Sequence, residues 1–333
     1  MANVIILLST YNGEKYLKEL VESIQRQSFK DWKLLVRDDG SCDQTISLIR
    51  SIMQGDERMH MMESKGNVGV IKSFSALSEE ALRIFPKTDY FMYADQDDIW
   101  LDDKIARTFS EMRKQEGVKE GKYPVLVHTD LKVVDSHLNE ISPSFMKYQY
   151  LRHESKDPLG VLLIQNFITG CTVMVNRQLL ELATPFPGKI MMHDWWLGQC
   201  AAALGLIGFL AEPTILYRQH GNNTLGAIGF SKKIVKVLKR SRFTLTRKER
   251  YGLFLKNLQD VMVQAEQLYD MLKQQGEGND EVLIMLEDFS SILYQTPSVR
   301  RSILKRWGIR RQFFLYDQLF KLRLLKTPIA TKF

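Results

Sequence analysis

Tyr93-Ala94-Asp95-Gln96-Asp97-Asp98 decides the fold, because a buried strand ends here and a cluster of carboxylates begins. The apolar and aromatic residues of 90–94 are typical of a strand that is covered on both faces of a parallel sheet. Asp95 and Asp97 then offer the hard oxygen ligands that Mg²⁺ and Mn²⁺ prefer. A D-x-D pair alone is weak evidence, since acidic triplets are common in exposed turns. Its position after an apolar strand favours a metal site over an acidic turn.

Alternating strands and helices precede this stretch. Residues 4–24 consist of a continuous apolar run, typical of a buried strand, followed by apolar side chains at helical spacing. The unit repeats over 32–53, and a third helix is predicted over about 70–85. The expected N-caps of the first two helices are Asn12 and Ser41, because short polar side chains satisfy the free N–H groups of a first turn.

Two further apolar runs, residues 125–127 and 172–175, predict added strands of the same domain. The alternation as a whole predicts an α/β fold with a Rossmann-like, mostly parallel sheet flanked by helices. Such sheets bind ligands at the carboxyl ends of their strands. Three polar clusters are expected to meet there: Thr10-Tyr11, Asp38-Asp39 and Asp95-Gln96-Asp97.

Composition excludes several classes of protein. The hydrophobic content of 44% and the charged content of 26% are those of a globular protein, and no run of about 18 apolar residues predicts a membrane span. The first residues do not resemble a secretion signal, and three dispersed cysteines fit a reducing compartment without structural zinc. Neither a G-x-G-x-x-G turn after the first strand nor a G-x-x-x-x-G-K-[ST] loop occurs, which argues against dinucleotide-binding and P-loop enzymes.

The net charge of +7 is unevenly distributed along the 333 residues. Residues 1–224 carry a net charge of −4, whereas residues 225–333 carry +11 and become helical and basic from Ser231. We therefore divide the chain at 224. A basic extension on a slightly acidic body favours an anionic membrane surface, and not nucleic acid, as the partner.

Residues 300–314 interleave basic and apolar side chains. Such a pattern is typical of an interfacial helix whose aromatic residues enter the headgroup region of a membrane. An amphipathic helix packed on the body, or on a second subunit in a homo-oligomer, explains it equally well. The residues concerned are Arg300, Arg301, Lys305, Arg306, Arg310 and Arg311, with Ile303, Leu304, Trp307, Ile309, Phe313 and Phe314.

Three residues beyond the acidic cluster are candidates for chemistry. Asp194 is surrounded by large apolar residues in Met191-Met192-His193-Asp194-Trp195-Trp196, where burial would make its carboxylate a better base. The alternative is an N-cap of the helix that follows. His220 is a candidate metal ligand and Arg218 a candidate phosphate partner, although a lone histidine is more often structural.

Five motifs occur in the order of a known enzyme family: Ser9-Thr10-Tyr11-Asn12-Gly13, Arg37-Asp38-Asp39-Gly40-Ser41, Asn67-Val68-Gly69, Asp95-Gln96-Asp97-Asp98-Ile99-Trp100 and His193-Asp194-Trp195. With them, residues 4 to about 223 resemble the inverting glycosyltransferases of family 2, which have the GT-A fold. The resemblance implies that 1–224 is a catalytic domain that binds a nucleotide sugar. The D-Q-D-D-I-W form and the Y-R-Q-H-G-N segment further resemble bacterial rhamnosyltransferases of cell-wall polysaccharide synthesis.

The resemblance implies a role for each candidate. Asp97 and Asp95 would hold Mn²⁺ or Mg²⁺, with His220 as a further ligand, and Asp194 would be the catalytic base. The residues expected to bind the nucleotide sugar are Thr10, Tyr11, Glu14, Asp39, Asn67, Lys72, Asp95, Gln96 and Arg218. Where the family commonly has a second acid before the base, this chain has His193, which leaves Asp194 as the sole candidate.

The implied reaction moves L-rhamnose from dTDP-β-L-rhamnose to a lipid-linked saccharide at the cytoplasmic face of the membrane. The protein would then be cytoplasmic and peripheral at the inner face of the cell membrane. UDP-glucose, UDP-galactose and UDP-GlcNAc are alternative donors. Two other classes are retained: a sugar-phosphate nucleotidyltransferase, whose usual glycine-rich loop after the first strand is missing here, and a non-catalytic membrane assembly protein.

Overall fold

The computed structural model describes residues 4–64, 66–118, 122–220 and 246–331. They form one sheet flanked by helices. The strands are β1 (Val4–Thr10), β2 (Trp32–Asp38), β3 (Met59–Met62), β4 (Tyr90–Ala94), β5 (Ile99–Trp100), β6 (Val125–Val134), β7 (Glu140–Ser142), β8 (Met174–Asn176) and β9 (Leu206–Arg218). The helices are α1 (Leu17–Gln25), α2 (Thr45–Met53), α3 (Val70–Ile84), α4 (Lys104–Glu116), α5 (Phe145–Gln149), α6 (Pro158–Leu162), α7 (Arg177–Ala183), α8 (His193–Leu204), α9 (Arg247–Gln275), α10 (Asp280–Ser290), α11 (Pro297–Arg306) and α12 (Phe314–Lys326).

The sheet has the order β3-β2-β1-β4-β8-β6-β9-β5, with β7 beside β6. β1 pairs in parallel with β2 and β4, and β2 pairs in parallel with β3. Beyond β4 the directions are mixed, because β8 is antiparallel to both of its neighbours whereas β6 and β9 are parallel. The predicted α/β fold is confirmed. Its parallel part is the half that the repeated strand and helix units predict, since an apolar run carries no information on the direction of an added strand.

Two local predictions need correction: the strand predicted over 172–175 covers Met174–Asn176, because Gly170–Thr172 forms a 3-10 turn, and the helix caps differ. β4 covers Tyr90–Ala94 as predicted, and every residue in it is buried. Asn12 does not cap α1, because its side-chain oxygen accepts a hydrogen bond from the backbone N–H of Cys42. Ser41 does not cap α2 either, since its hydroxyl donates to a carboxylate oxygen of Asp38. Both predicted caps are wrong, and both side chains instead join the loops that follow β1 and β2.

Two apolar clusters cover the two faces of the sheet. β1 alternates between them, with Ile5 and Leu7 in one cluster and Val4, Ile6 and Leu8 in the other. The cluster that contains Ile5 and Leu7 continues into α9, α10, α11 and α12. The C-terminal helices therefore pack against the same core as the parallel strands.

The end of the chain packs on the body of the protein. Ile303, Leu304, Trp307 and Ile309 are all buried in this shared core, so these side chains are not available to enter a membrane. Arg300, which we expected on a charged surface, is also buried. Its guanidinium donates hydrogen bonds to five backbone carbonyls, those of Ile292, Leu293, Leu324, Thr327 and Pro328. Of the two interpretations of this segment, the structure supports the packed amphipathic helix.

None of the helices described here has both the length and the apolar character needed to cross a bilayer. The expected domain boundary at 224 and the basic helical pattern from Ser231 lie within 221–245, outside the described residues.

Candidate active site

A cavity of about 760 Å³ opens at the carboxyl ends of β1, β2 and β4. Most of the predicted site residues line it: Thr10, Tyr11, Asp39, Asn67, Asp95, Gln96, Asp97, Asp194 and His220. Three predicted residues of the described chain lie outside this lining, namely Glu14, Lys72 and Arg218. The expectation that three polar clusters meet at this edge of the sheet is confirmed.

Gln96 joins the loop after β4 to the loop after β1. Its amide oxygen accepts a hydrogen bond from the Tyr11 backbone N–H, and its amide nitrogen donates to the Tyr11 carbonyl, both at 2.9 Å. Gly13 makes room for this contact, because a Cβ at that position would lie 2.3 Å from the Gln96 side-chain oxygen. The Tyr11 ring remains 48% exposed, which leaves a face on which a flat ring can stack. We assign to Gln96 the positioning of Tyr11.

Asp39 organises the loop that follows β3. One of its carboxylate oxygens accepts from Arg37 at 2.5 Å and from the Val68 backbone N–H, while the other accepts from the Gly69 N–H. Gly69 has a positive φ of 84°, a conformation that glycine adopts without strain. Each carboxylate oxygen has two lone pairs, so the second oxygen keeps acceptor capacity at the wall of the cavity. The sequence motif did not indicate that Arg37 pairs with Asp39.

The neighbouring Asp38 has a structural role. It is buried and accepts from the Thr10 hydroxyl at 2.9 Å and from the backbone N–H groups of Gly40 and Ser41. Thr10 is fully buried, and it forms part of the cavity wall without projecting into the cavity. These bonds hold the ends of β1 and β2 in register, which fixes the positions of the residues around them.

Two other predicted donor-binding residues, Glu14 and Asn67, have hydrogen-bond partners within the protein, and a third, Lys72, is exposed. Glu14 is exposed, and its carboxylate accepts from the backbone N–H of Gln44 at 2.8 Å. Lys72 is exposed on α3 and does not line the cavity. Asn67 lines the cavity while its side-chain oxygen accepts from the Gly69 N–H at 3.1 Å. Contact of these side chains with a nucleotide stays a prediction.

Asp97 and His220, which are 123 positions apart in the sequence, are brought together by the fold. The imidazole Nε2 lies 2.8 Å from a carboxylate oxygen of Asp97, and both residues line the cavity. The ring of Tyr16 stacks on His220 at a centroid distance of 4.9 Å. The sequence pattern placed Asp97 and His220 among the metal candidates. It did not indicate Tyr16, because this residue lies at the N-terminus of α1 with no motif around it.

Arg218 lies behind this pair. Its guanidinium donates to the Asp97 carbonyl at 3.0 Å, to the Ser136 carbonyl at 3.1 Å and to Glu19 at 2.5 Å. Its backbone N–H donates to Asp98. Only 2% of its surface is exposed, and it does not line the cavity. The geometry thus favours a positioning role at the acidic turn over the phosphate contact that the sequence suggested.

Buried charge lies beneath the acidic turn. Ligand atoms of Asp95, Asp98 and Cys171 fall within 4.8 Å of one another. Burial and the neighbouring Asp97 raise the pKa of both Asp95 and Asp98 above the usual carboxyl range. Lys104 is fully buried nearby, and burial lowers the pKa of its ammonium to about 8. Nothing in the sequence pattern indicates that Cys171, one of the three dispersed cysteines, lies beside these carboxylates.

This arrangement suits a hard divalent cation. Asp95 and Asp97 present carboxylates at the cavity wall, and among the described residues one oxygen of the buried Asp98 has no hydrogen-bond partner. Crowded carboxylates repel one another, and a cation would relieve that repulsion. Carboxylates are the side chains that Mg²⁺ and Mn²⁺ prefer. The donor set therefore fits either ion.

Asp194 lies in the first turn of α8, whose N-cap is Met192, so the alternative that Asp194 is the N-cap is wrong. Only 7% of its surface is exposed, and one carboxylate oxygen accepts from the Trp195 backbone N–H at 2.6 Å and from the Asn166 amide at 3.2 Å. Burial raises the pKa of Asp194 to about 7, although these bonds oppose the shift. A carboxyl group with a pKa near neutrality is a suitable general base.

His193 lies beside the base, packed against the rings of Phe74 and Tyr93 at centroid distances of 4.2 and 5.2 Å. It is buried, lines the cavity, and has no hydrogen-bond partner on either ring nitrogen among the described residues. Gly170 allows this approach, since a Cβ there would lie 2.6 Å from the imidazole Nε2. Burial lowers the pKa of His193 to about 3, so the ring is neutral. It can offer one donor and one acceptor, and not a charge.

Comparison with known proteins connects this site to a family. The model of the family described as "Glycosyl transferase family 2" matches residues 5–180, just over half of the chain. The chain belongs to glycosyl transferase family 2. Its cavity at the strand ends, with an acidic turn on one side and Asp194 on another, is the candidate active site.

Individual family 2 relatives differ in donor. "dTDP-rhamnosyl transferase RfbG" of Shigella flexneri is 27% identical over 237 residues, 68% of this chain and 76% of that protein. "UDP-Glc:alpha-D-GlcNAc-diphosphoundecaprenol beta-1,3-glucosyltransferase WfgD" of Escherichia coli is 25% identical over 195 residues, 58% of this chain and 68% of that protein. Among solved structures, S. aureus TarS 1-349 in complex with UDP-GlcNAc is similar, with a TM-score of 0.53 and 14% identity over 98% of this chain and 80% of that one. That likeness supports the GT-A fold.

Proposed function

We propose that the protein is an inverting rhamnosyltransferase that moves L-rhamnose from dTDP-β-L-rhamnose to a lipid-linked saccharide. The product would enter bacterial cell-wall or capsular polysaccharide. Support for the donor comes from the D-Q-D-D-I-W form and from the similarity to a relative named as a dTDP-rhamnosyl transferase. Support for the acceptor comes from the relative whose printed name contains a diphosphoundecaprenol saccharide.

One observation carries the proposal. The candidate base Asp194 lines the same cavity as the Asp97–His220 pair, with Tyr11 and Asp39 on the nucleotide side. A donor held between Tyr11 and the acidic turn would present its anomeric carbon within the cavity that Asp194 faces. The carboxylates of the acidic turn and that of Asp194 then have separate roles. The turn binds the donor and its cation, and Asp194 accepts the proton of the acceptor hydroxyl.

The reaction is a single displacement. Asp194 takes the proton of the acceptor hydroxyl, whose oxygen forms a bond to the anomeric carbon while the bond to the diphosphate oxygen breaks and dTDP leaves. Attack on the face opposite the leaving group converts the β-donor into an α-rhamnoside. Asp97 and Asp95, with His220, would hold Mn²⁺ or Mg²⁺, which supplies charge stabilisation to the departing diphosphate. Neutral His193, beside the base, is suited to hydrogen-bond a sugar hydroxyl.

Residues 225–333 have a separate role in this proposal. A lipid-linked acceptor places the reaction at the inner face of the cytoplasmic membrane, so the chain would be a peripheral protein there. The basic character of 225–333 supports association with an anionic surface. The alternative is that this region joins copies of the chain in a homo-oligomer.

A second donor class has its own support. The relative that carries UDP-Glc in its name is nearly as similar to this chain as the rhamnosyl relative is. A family 2 transferase that uses UDP-glucose, UDP-galactose or UDP-GlcNAc is therefore the alternative. The nucleotide-side residues Tyr11 and Asp39 would serve thymine and uracil alike, since both bases present the same ring N–H.

A panel of donors decides between them. Thermal unfolding of the full chain would be followed with Mn²⁺ or Mg²⁺ and, in turn, dTDP-rhamnose, UDP-glucose, UDP-galactose and UDP-GlcNAc. A ligand that binds only the folded state stabilises it by an amount that grows with the logarithm of ligand concentration over Kd, so at equal concentrations dTDP-rhamnose is expected to give the largest rise in Tm. Release of dTDP on addition of a lipid-linked saccharide would complete the test. A larger rise with a UDP-sugar would overturn the rhamnose donor and leave the family assignment standing.

A further inference from the structure

A second cavity, of about 590 Å³, lies between the C-terminal helices and the segment that carries Asn166. Its apolar lining comes from α9, from α12 and from the catalytic region, and includes Leu258, Val261, Phe320 and Ile164. Leu253 and Leu319, at 48% and 45% exposure, also line it and face solvent. We call this cavity the C-terminal groove. An apolar groove that opens through exposed leucines suits a hydrocarbon chain.

Three arginines also line the C-terminal groove: Arg250 from α9, Arg311 between α11 and α12, and Arg323 from α12. Within the described part of the chain, no carboxylate comes within 4 Å of any of these guanidiniums. The carboxylate next in sequence, Asp317, bonds to Lys321 at 2.6 Å and to the Arg311 backbone N–H. Among the described residues, therefore, none of the three guanidiniums forms an ion pair, although those of Arg311 and Arg323 lie over the rings of Phe320 and Phe254.

Arg311 is the most confined of the three. Among the described residues, its Nε is buried without a hydrogen-bond partner. Burial lowers the pKa of Arg311; the nearby Asp317 carboxylate opposes that shift, and the Arg323 guanidinium adds to it. A buried donor without a partner and two neighbouring like charges both destabilise the empty groove. An anion bound between Arg311 and Arg323 would relieve both costs, and guanidinium groups are well matched to phosphate oxygens.

The C-terminal groove ends beside the catalytic base. Asn166, Met191 and Trp195 line it, while Asp194 lines the donor cavity. The Asn166 amide donates to the Asp194 carboxylate at 3.2 Å, so a residue that lines the C-terminal groove contacts a residue that lines the donor cavity. A molecule whose anionic group lies on the arginines could therefore place an attached sugar hydroxyl near Asp194.

We propose that the C-terminal groove binds the diphosphate and the first isoprenoid units of a polyprenyl-diphosphate acceptor. This inference rests on the proposed function, because it assigns the lipid end of the same acceptor. The diphosphate pairs with Arg311 and Arg323, and the isoprenoid chain follows the apolar lining out past Leu253 and Leu319 towards the membrane. The sugar end passes Asn166 to reach Asp194. The C-terminal helices thus select a lipid diphosphate, and not only a membrane surface.

The test uses a short lipid diphosphate and needs neither donor nor transfer. Calorimetry of the full chain would compare farnesyl diphosphate, farnesol and inorganic diphosphate as probes. Farnesyl diphosphate is expected to bind at least about tenfold more tightly than either of the others, since only it meets both the arginines and the apolar lining. If inorganic diphosphate binds as tightly as farnesyl diphosphate, the lipid half of the proposal is overturned.

Variants locate the bound probe. Arg311→Gln and Arg323→Gln are each expected to weaken farnesyl diphosphate binding about tenfold or more, whereas Arg301→Gln, an exposed arginine on α11 outside the groove, leaves it unchanged. Binding of dTDP-rhamnose should be equal in all of these proteins, which also verifies that they fold. Equal loss with Arg301→Gln would overturn the groove as the site. Failure of the rhamnose donor with intact farnesyl diphosphate binding would overturn only the donor.

A competing explanation is simple attraction to an anionic membrane. Vesicles of phosphatidylglycerol and neutral vesicles of phosphatidylcholine would be compared with the same variants. If Arg311→Gln reduces vesicle binding while farnesyl diphosphate fails to bind the unsubstituted protein, the groove is a membrane contact and the proposal is wrong. If farnesyl diphosphate competes with the lipid-linked saccharide in the transfer assay, the proposal is supported.

Discussion

Removal of the Asn166 amide should shift the pH dependence of transfer. Asp194 must be ionised to accept a proton, and burial raises its pKa to about 7, so activity should fall as pH drops through about 7. The Asn166 hydrogen bond stabilises the ionised form and opposes that shift. Asn166→Ala therefore raises the pKa of Asp194 further, and activity should be lost at a higher pH than in the unsubstituted protein.

The size of the shift follows from the geometry. A hydrogen bond of 3.2 Å to this carboxylate contributes about 1 kcal/mol, which corresponds to roughly 0.7 of a pKa unit. Well below pH 7 the variant should be about fivefold slower than the unsubstituted protein, and well above it the two rates should converge. The assay is kcat/KM for the acceptor at saturating donor, measured by dTDP release across the pH range.

Gln165→Ala is the matched control. Gln165 is the neighbour of Asn166, but its side chain bonds to Gln312 and not to Asp194. The control should leave the acid limb where it is, even if the segment loosens. An acid limb that Asn166→Ala leaves unmoved, or moves to lower pH, would refute the assignment of Asp194 as the ionised base.

Three further results are expected. Gly13→Ala puts a Cβ 2.3 Å from the Gln96 oxygen, so KM for dTDP-rhamnose should rise about tenfold in steady-state kinetics; an unchanged KM would mean that the loop is not needed for donor binding. Asp97→Asn should raise the Mn²⁺ concentration for half-maximal activity tenfold or more, and an unaltered metal titration would remove Asp97 from the ligand set. Arg300→Ala leaves five buried carbonyls without their donor, so urea denaturation should show a loss of about 3 kcal/mol in the free energy of unfolding, and a loss below about 1 kcal/mol would contradict that account.

Elements built from local patterns could be predicted from the sequence. β4 was predicted residue for residue, because a short apolar run followed by acids has few alternatives as a buried strand. α3 was predicted within one residue for the same reason, its apolar side chains repeating at helical spacing. The position of the acidic turn at the cavity followed from strand direction alone, since parallel strands end at one edge.

Side-chain partners across the loops could not be predicted. Asn12 and Ser41 are good N-cap residues in a local view, yet they bond to groups that the fold brings close, Cys42 and Asp38. Gln96 bonds to the backbone of Tyr11, 85 positions away in sequence. A pattern of residue types indicates only the local propensity for a cap or a turn. These bonds form because the fold brings the ends of two strands close together.

The end of the chain shows the same limit for charge. Six basic residues among apolar ones fit a membrane-facing helix and a packed helix equally well, but in the structure Arg300 is buried and donates to backbone carbonyls. Arg311 and Arg323 instead line the C-terminal groove. The sequence gives the number of basic residues. Only the packing of the chain determines which of them bond to other groups of the protein and which line a cavity.

The division of labour between the acidic turn and Asp194 is tested most directly by one pair of measurements on Asp194→Asn. Calorimetry would give the affinity for dTDP-rhamnose with Mn²⁺, and dTDP release with the lipid-linked acceptor would give the transfer rate. Donor affinity should stay within about twofold, and transfer should fall by about 10²–10⁴-fold, the range that a positioned general base contributes. Transfer at the unsubstituted rate would contradict the account, because the base would then have to be another group.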